Sequence, residues 1–141
     1  MIHYVLGFLF SEDKKRVALI LKKKPDFLVG KTNGIGGKIE EGETPLTTMV
    51  REFQEETGIK IPEHKWKYLC LLEHTNKWDM YVYTSFNDVA IENVKTMEEE
   101  VVGVYDVENV KTLNVVSNLH WIIPMALDKN IDAAGKINVI K

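Results

Sequence analysis

The chain opens as apolar stretches separated by short polar breaks. Residues 2–10, IHYVLGFLF, and 16–21, RVALIL, are rich in β-branched and apolar types, and the SEDKK between them predicts a hairpin. Residues 22–37, KKKPDFLVGKTNGIGG, hold Pro25, Gly30, Gly34, Gly36 and Gly37 and read as a loop. Over 45–57 the period changes: Leu46, Val50, Phe53 and Thr57 recur at spacings of three and four, which predicts an amphipathic helix. Thr44 is placed to cap it, Pro45 fits its first position and Gly58 fits a left-handed terminator. Residues 66–73 and 79–86 read as strands joined around HTNKW, and 101–107 as a further strand. A second helix is predicted over 115–129, VVSNLHWIIPMALDK, with Pro124 either opening or bending it. The tail, GKINVIK, reads as a short edge strand or an ordered terminus. Strands on both sides of the first helix, with a later helix, predict an α/β sandwich with a mixed sheet.

Composition narrows the class. A length of 141 residues suits one domain spanning 1–141, since domains commonly run to about 100–150 residues. With 45% hydrophobic and 28% charged residues the chain reads as globular, and no window approaches the roughly 18 apolar residues of a membrane span. The N-terminus MIHYVLGFLF lacks a basic leader and a small-residue cleavage site, so a strand is expected there, and a cytoplasmic location for the protein. One cysteine, Cys70, rules out an internal disulfide and a thiolate metal site, and is expected to be a buried strand residue. A net charge of −3 argues against broad binding to long nucleic acid but leaves small anionic ligands open. His3, His64, His74 and His120 show no ligand spacing, and Trp66 and Trp78 read as core or rim.

The first helix carries an unusual charge load. Glu52 and Glu56 are one turn apart and Glu55 is three from Glu52, so their carboxylates can approach one region. Each like-charge pair costs a helix roughly 0.2–0.5 kcal/mol, which a solvated acidic face would tolerate. The context favours a site: a glycine-rich turn and Glu43 precede the cluster, and Arg51 adjoins Glu52. Hard divalent cations such as Mg²⁺ prefer carboxylate oxygens together with water and substrate phosphate, and a bound cation would cancel the repulsion.

Gly37, Glu43, Arg51, Glu52, Phe53, Glu55, Glu56, Gly58 and Ile59 fill every fixed position of a known pattern. The chain resembles the Nudix hydrolases, whose members cleave nucleoside diphosphates linked to another moiety. The resemblance implies a Nudix-type α/β/α sandwich and substitution at phosphorus assisted by Mg²⁺ or Mn²⁺. It implies that Glu52, Glu55 and Glu56 hold the metal, with the carbonyl of Gly37, and that Arg51 pairs with Glu43 and orients the helix carboxylates. Gly36 and Gly37 would allow close backbone approach to metal and phosphate. Members draw a general base from the helix or from a loop glutamate. Within the run Glu98, Glu99, Glu100, the last is preferred as base and further metal ligand, because relatives often carry a tryptophan where Tyr105 stands, five residues on. Glu52 is the alternative base.

The segment 27–37, FLVGKTNGIGG, and the later HWIIPMAL resemble the Nudix enzymes that remove oxidised purine nucleoside triphosphates. In that group an aromatic residue and an asparagine contact the base, matching Phe27 and Asn33. Their acidic pair before the final helix aligns with Asn118 and Leu119, and Thr32 replaces a frequent tryptophan. Trp121 is the candidate for stacking on a base and Lys38 for meeting phosphate, whereas Lys22, Lys23 and Lys24 read as a solvated strand end. A nucleoside polyphosphate is therefore the expected partner. The alternatives are a module that senses a nucleotide without cutting it, and a hydrolase of capped RNA ends, which would need a basic groove. Relatives frequently form homodimers, and no feature of the sequence decides this.

Overall fold

The two apolar N-terminal segments become the middle of one mixed sheet. The computed structural model describes residues 1–132 and 135–139. Its strands are β1 (Ile2–Phe10), β2 (Arg16–Leu21), β3 (Thr32–Asn33), β4 (Ile35–Lys38), β5 (Lys67–His74), β6 (Trp78–Phe86), β7 (Val101–Asp106) and β8 (Lys136–Asn138). They run in the order β3-β2-β1-β6-β5-β8, with β4 added on β1 and β7 on β2. The central pair, β1 and β6, is parallel from Ile2↔Trp78 to Phe10↔Phe86, while β1 and β2 form the antiparallel hairpin.

Alternation along β1 separates two cores, because successive side chains leave opposite faces of a strand. Val5 and Leu9 pack with Met49 and Phe53 of α1 (Pro45–Thr57) and with Ala90 and Ile91 of α2 (Asp88–Asn93). Leu6, Phe8 and Phe10 pack with Leu119, Ile122 and Ile123 of α3 (Leu119–Leu127). Among the described residues two α-helices thus cover one face and one the other, the expected α/β/α sandwich. Full burial of side chains such as Phe8, Phe53 and Leu119 contributes roughly 1.5–3 kcal/mol each. Trp66 is buried edge-on against Phe53, with ring centroids 5.2 Å apart, and its indole N–H donates to the Ile61 carbonyl. Cys70 is buried in β5, and no helix among the described residues is long and apolar enough to cross a membrane.

Two expectations need correction, and one helix carries no signal in the sequence pattern. The glycine-rich 22–37 stretch is not all loop: it contains β3 and most of β4, and Gly36 permits this because a Cβ there would overlap the Val5 carbonyl of β1. Sequence periodicity did not reveal α2, a short helix capped by the Asn87 side chain accepting from the Ala90 N–H at 2.9 Å. The last helix is shorter than 115–129, since Val115 bridges Thr32 before α3 begins; Pro124 lies inside α3 and does not open it. In the tail, β8 pairs with β5, and residues 140–141 lie outside the described region.

Candidate functional site

Helix α1 is fixed at both ends. Thr44 Oγ1 accepts from the Thr47 N–H at 3.1 Å, Pro45 sits at the first position, and Gly58 closes the helix at φ 79° with its N–H on the Gln54 carbonyl. A helix so held carries Glu52, Glu55 and Glu56 in its last two turns, with the Glu52 carboxylate over Gly37 of β4.

Arg51 organises this acidic face. Its Nε and Nη2 donate to the two Glu43 oxygens at 2.7 and 2.9 Å, a bidentate pair. Its Nη1 donates to Glu52 Oε1 at 3.0 Å and to Glu55 Oε1 at 2.9 Å. Glu43 also accepts from the Thr48 hydroxyl and the Glu40 N–H. The Arg51 bonds above all hold the Glu43 carboxyl down at about 2, and the same bonds, led by those to Glu43, raise Arg51 further above its ordinary range. Arg51 is thus a permanent cation sharing three carboxylates.

Glu52 and Glu56 lie deeper. The Glu52 carboxylate rests on Gly37, where a Cβ would come within 2.5–2.6 Å of both carboxylate oxygens. Burial raises the Glu52 carboxyl against the pull of Arg51. Burial, and after it the charges of Glu98, Glu100 and Glu52, push Glu56 up to about 7. Glu56 Oε2 is buried with no hydrogen-bond partner among the described residues.

A metal would find suitable donors here. All the groups are hard carboxylate oxygens, one of them orphaned, and the absence of a side chain on Gly37 gives the Glu52 carboxylate the space it occupies. Glu52, Glu56 and Glu55 are the residues that would hold a divalent cation. Glu55 is turned to Arg51, and among the described residues no three His, Cys, Asp or Glu side chains close on one point.

The preferred loop glutamate is placed differently from a solvated base. Glu100 is buried; its Oε1 accepts from Lys22 Nζ at 2.8 Å and its Oε2 from the Lys23 N–H at 2.7 Å. Burial pulls Glu100 upward, but these donors outweigh it and its carboxyl is lowered. Lys22 is therefore paired and not a free strand end. Glu98, passed over in the sequence, is exposed, and its charge bears on both Glu52 and Glu56. Three glutamates in a row carry no sequence signal that tells these orientations apart.

The residues expected to meet substrate divide between two places. Lys38 is exposed at the end of β4, with its carbonyl 3.4 Å from Arg51 Nη2, next to the acidic face. Phe27 is 76% exposed on the short 3-10 turn Asp26–Leu28, and Asn33 Oδ1 accepts from the Gly34 N–H. Asn118 is half-buried ahead of α3, with no capping bond from its side chain, and Trp121 stands on the exposed face of that helix. Thr32 bridging Val115, and Asn114 Nδ2 donating to the Gly30 carbonyl, bring the Phe27 loop and β3 beside the segment entering α3. Gly36 is pressed by the backbone of β1 and is needed for packing first. A cavity of about 490 Å³ opens behind the C-terminal end of α1, between Ile59, Lys60, Val89 and Met97, away from this face.

A family model described as a NUDIX domain matches residues 2–123. The chain belongs to the Nudix family. An uncharacterized Nudix hydrolase of Bacillus subtilis is 30% identical over 84 residues, 55% of this chain and 52% of that protein. The mouse oxidized purine nucleoside triphosphate hydrolase is 45% identical over 47 residues, 33% of this chain and 30% of its own. This Nudix chain therefore spans about half of the first curated relative and less of the second. The NUDIX domain of Shewanella oneidensis NrtR, solved with ADP ribose, superposes at a TM-score of 0.78 and 19% identity, over 93% of this chain and 89% of that one, which shows a shared fold.

Proposed function

We propose that this Nudix protein is a metal-dependent hydrolase that cleaves the pyrophosphate linkage of a nucleoside di- or triphosphate derivative. The observation that carries the reading is the acidic face of α1: Glu52, Glu55 and Glu56 with Arg51 locked to Glu43. A bound Mg²⁺ or Mn²⁺ would neutralise phosphate oxygens and acidify a water. The chain's own residues supply the rest. Arg51 keeps Glu52 and Glu55 oriented, Gly37 makes room for the Glu52 carboxylate, and Lys38 meets phosphate charge. Glu52 is the candidate base: it lies half-buried inside the acidic face, with its carboxylate over Gly37 and oriented by Arg51. The intact carboxylate set favours catalysis over mere sensing. An acidic chain whose Lys22 is already paired offers little basic track for a capped RNA end.

An oxidised purine nucleoside triphosphate, hydrolysed to the monophosphate and pyrophosphate, is the finer proposal. The 47-residue match to the mouse enzyme supports it, as does the placing of Phe27 and Asn33 beside the approach to Asn118 and Trp121. The test is a panel of canonical and oxidised dNTPs, ADP-ribose, NADH, dinucleoside polyphosphates and capped RNA with Mg²⁺ or Mn²⁺, run on the native chain and on Glu55→Gln and Glu56→Gln. Turnover in the native chain that falls by orders of magnitude in both variants supports the hydrolase; unchanged turnover in both removes it.

A further inference from the structure

Lys22 and Glu100 stand one residue beyond Leu21↔Val101, the last registered pair of β2 and β7. They continue that antiparallel ladder with opposite charges. Their side chains are only 20% and 7% exposed, and the Lys24 N–H adds a third donor to Glu100 at 3.3 Å. The backbone of Lys22 also closes the Phe27 loop: its N–H donates to the Lys31 carbonyl at 2.8 Å and its carbonyl accepts from Gly30 at 3.0 Å.

The segment ending at Glu100 is tied down at its other end as well. The Lys95 N–H donates to the Thr57 carbonyl at 3.0 Å and the Met97 N–H to the Glu56 carbonyl at 3.2 Å, both at the end of α1. Glu98 therefore lies between two anchors, Met97 and Glu100. Its charge bears on Glu52 and Glu56, and without anchors repulsion would drive this exposed side chain away.

We propose that Lys22 and Glu100 form a positioning pair that locks the Phe27 loop and the 95–100 segment to the end of α1. Glu100 then acts through this lock and does not touch the reacting atoms. The proposal rests on the hydrolase reading of the same site. Both Glu100 oxygens already accept from residues 22–24, so the carboxylate is directed at the segment that follows β2. Breaking a buried pair by removing one partner leaves an uncompensated charge, whereas replacing both with apolar residues of similar volume is tolerated.

The experiment compares the native chain with Lys22→Met, Glu100→Gln, Lys22→Arg, and the double variant Lys22→Met with Glu100→Met, which guards against simple misfolding. Amide hydrogen exchange is read at Lys23 and Met97 without metal, and kcat and KM with the best substrate of the panel. Both single variants that break the pair are expected to speed exchange at least tenfold at both amides. They should lower kcat by about tenfold to the same extent, with the double variant no worse than either. Lys22→Arg should restore native behaviour in both readouts. Unchanged exchange in both single variants overturns the lock. So does a thousandfold loss in Glu100→Gln beside a Lys22→Met that keeps kcat within twofold, since Glu100 would then act directly. The exchange readout is independent of turnover, so an inactive native chain with the lock intact would count against the hydrolase reading alone.

Discussion

The carboxylate of Glu52 occupies the space that a side chain on Gly37 would fill, whereas the neighbouring Gly36 is pressed by the carbonyl of Val5. The two glycines are therefore required for different reasons, and alanine separates them. In Gly37→Ala the obstacle is the end of a flexible side chain, so Glu52 can swing aside at little cost. The fold should survive within about 1 kcal/mol. Turnover should fall at least a hundredfold as the carboxylate leaves its place. In Gly36→Ala the obstacle is main chain that cannot yield without parting β4 from β1, and a loss of about 3 kcal/mol or more is expected. Thermal unfolding of both variants beside activity of Gly37→Ala checks the pair; equal stability would show that β4 does not need the close approach.

The helix bearing Glu52 was legible because its period, its Thr44 cap and its Gly58 terminator all agree. The mixed sheet was legible from the strand order around it. Strands β3 and β4 were not, because the glycines in and beside them signal turns locally, and the segment becomes strand only when β2 lies against β3 and β1 against β4. The pairing of Glu100 with Lys22 joins positions far apart in the chain through the β2 and β7 register, which no local pattern encodes. Helix α2 is too short to show a helical period.

The Arg51–Glu43 pair should impose an acid limit on stability. Glu43 titrates near 2 in the folded protein against an ordinary 4.5. A depressed acid stabilises the fold fully above its unfolded value and loses that contribution as pH falls through its folded value. Glu43→Gln should therefore be less stable than the native chain at pH 6 by about 1 kcal/mol, the solvent-exposed side of the pair holding the figure down, and the two should converge near pH 2. Because the same pair orients the helix carboxylates, kcat should fall about 10- to 100-fold. Parallel melting curves from pH 2 to 6 that never converge would remove the link.

Glu56 behaves in the opposite sense. Its folded value of about 7 lies above the ordinary 4.5, mainly through burial. A raised acid favours folding in its protonated form: the contribution is complete below about 4.5 and is lost as pH rises through about 7. With EDTA present, Glu56→Gln should be more stable than the native chain at pH 8, by about 1–2 kcal/mol, and equal to it near pH 4.5. Urea unfolding at the two pH values measures this. A variant less stable at pH 8 would show that the buried carboxylate is satisfied by a group other than a proton.

Adding the cation should reverse that ranking. A ligand that binds only the folded state at a hundred times its Kd stabilises by about 2.7 kcal/mol. Mg²⁺ or Mn²⁺ should raise the melting temperature of the native chain and leave that of Glu56→Gln and Glu52→Gln nearly unmoved. Calorimetry that detects no uptake by the native chain, with or without nucleotide, would leave the acidic face without its proposed occupant.

Phe27 offers the sharpest separation of binding from folding. A phenylalanine that is 76% exposed buries little, so Phe27→Ala should change stability by no more than about 0.5 kcal/mol. Stacking of an aromatic ring on a nucleobase is worth about 1–3 kcal/mol, roughly a 5- to 150-fold change in affinity. If Phe27 meets the base, KM should rise by that factor while kcat holds, because the ring lies on the loop between β2 and β3 and not on α1. The same variant should show a smaller rise with a substrate that lacks a purine. An unchanged KM for every nucleotide in the panel would place the base elsewhere, with Trp121, exposed on α3, as the next residue to replace.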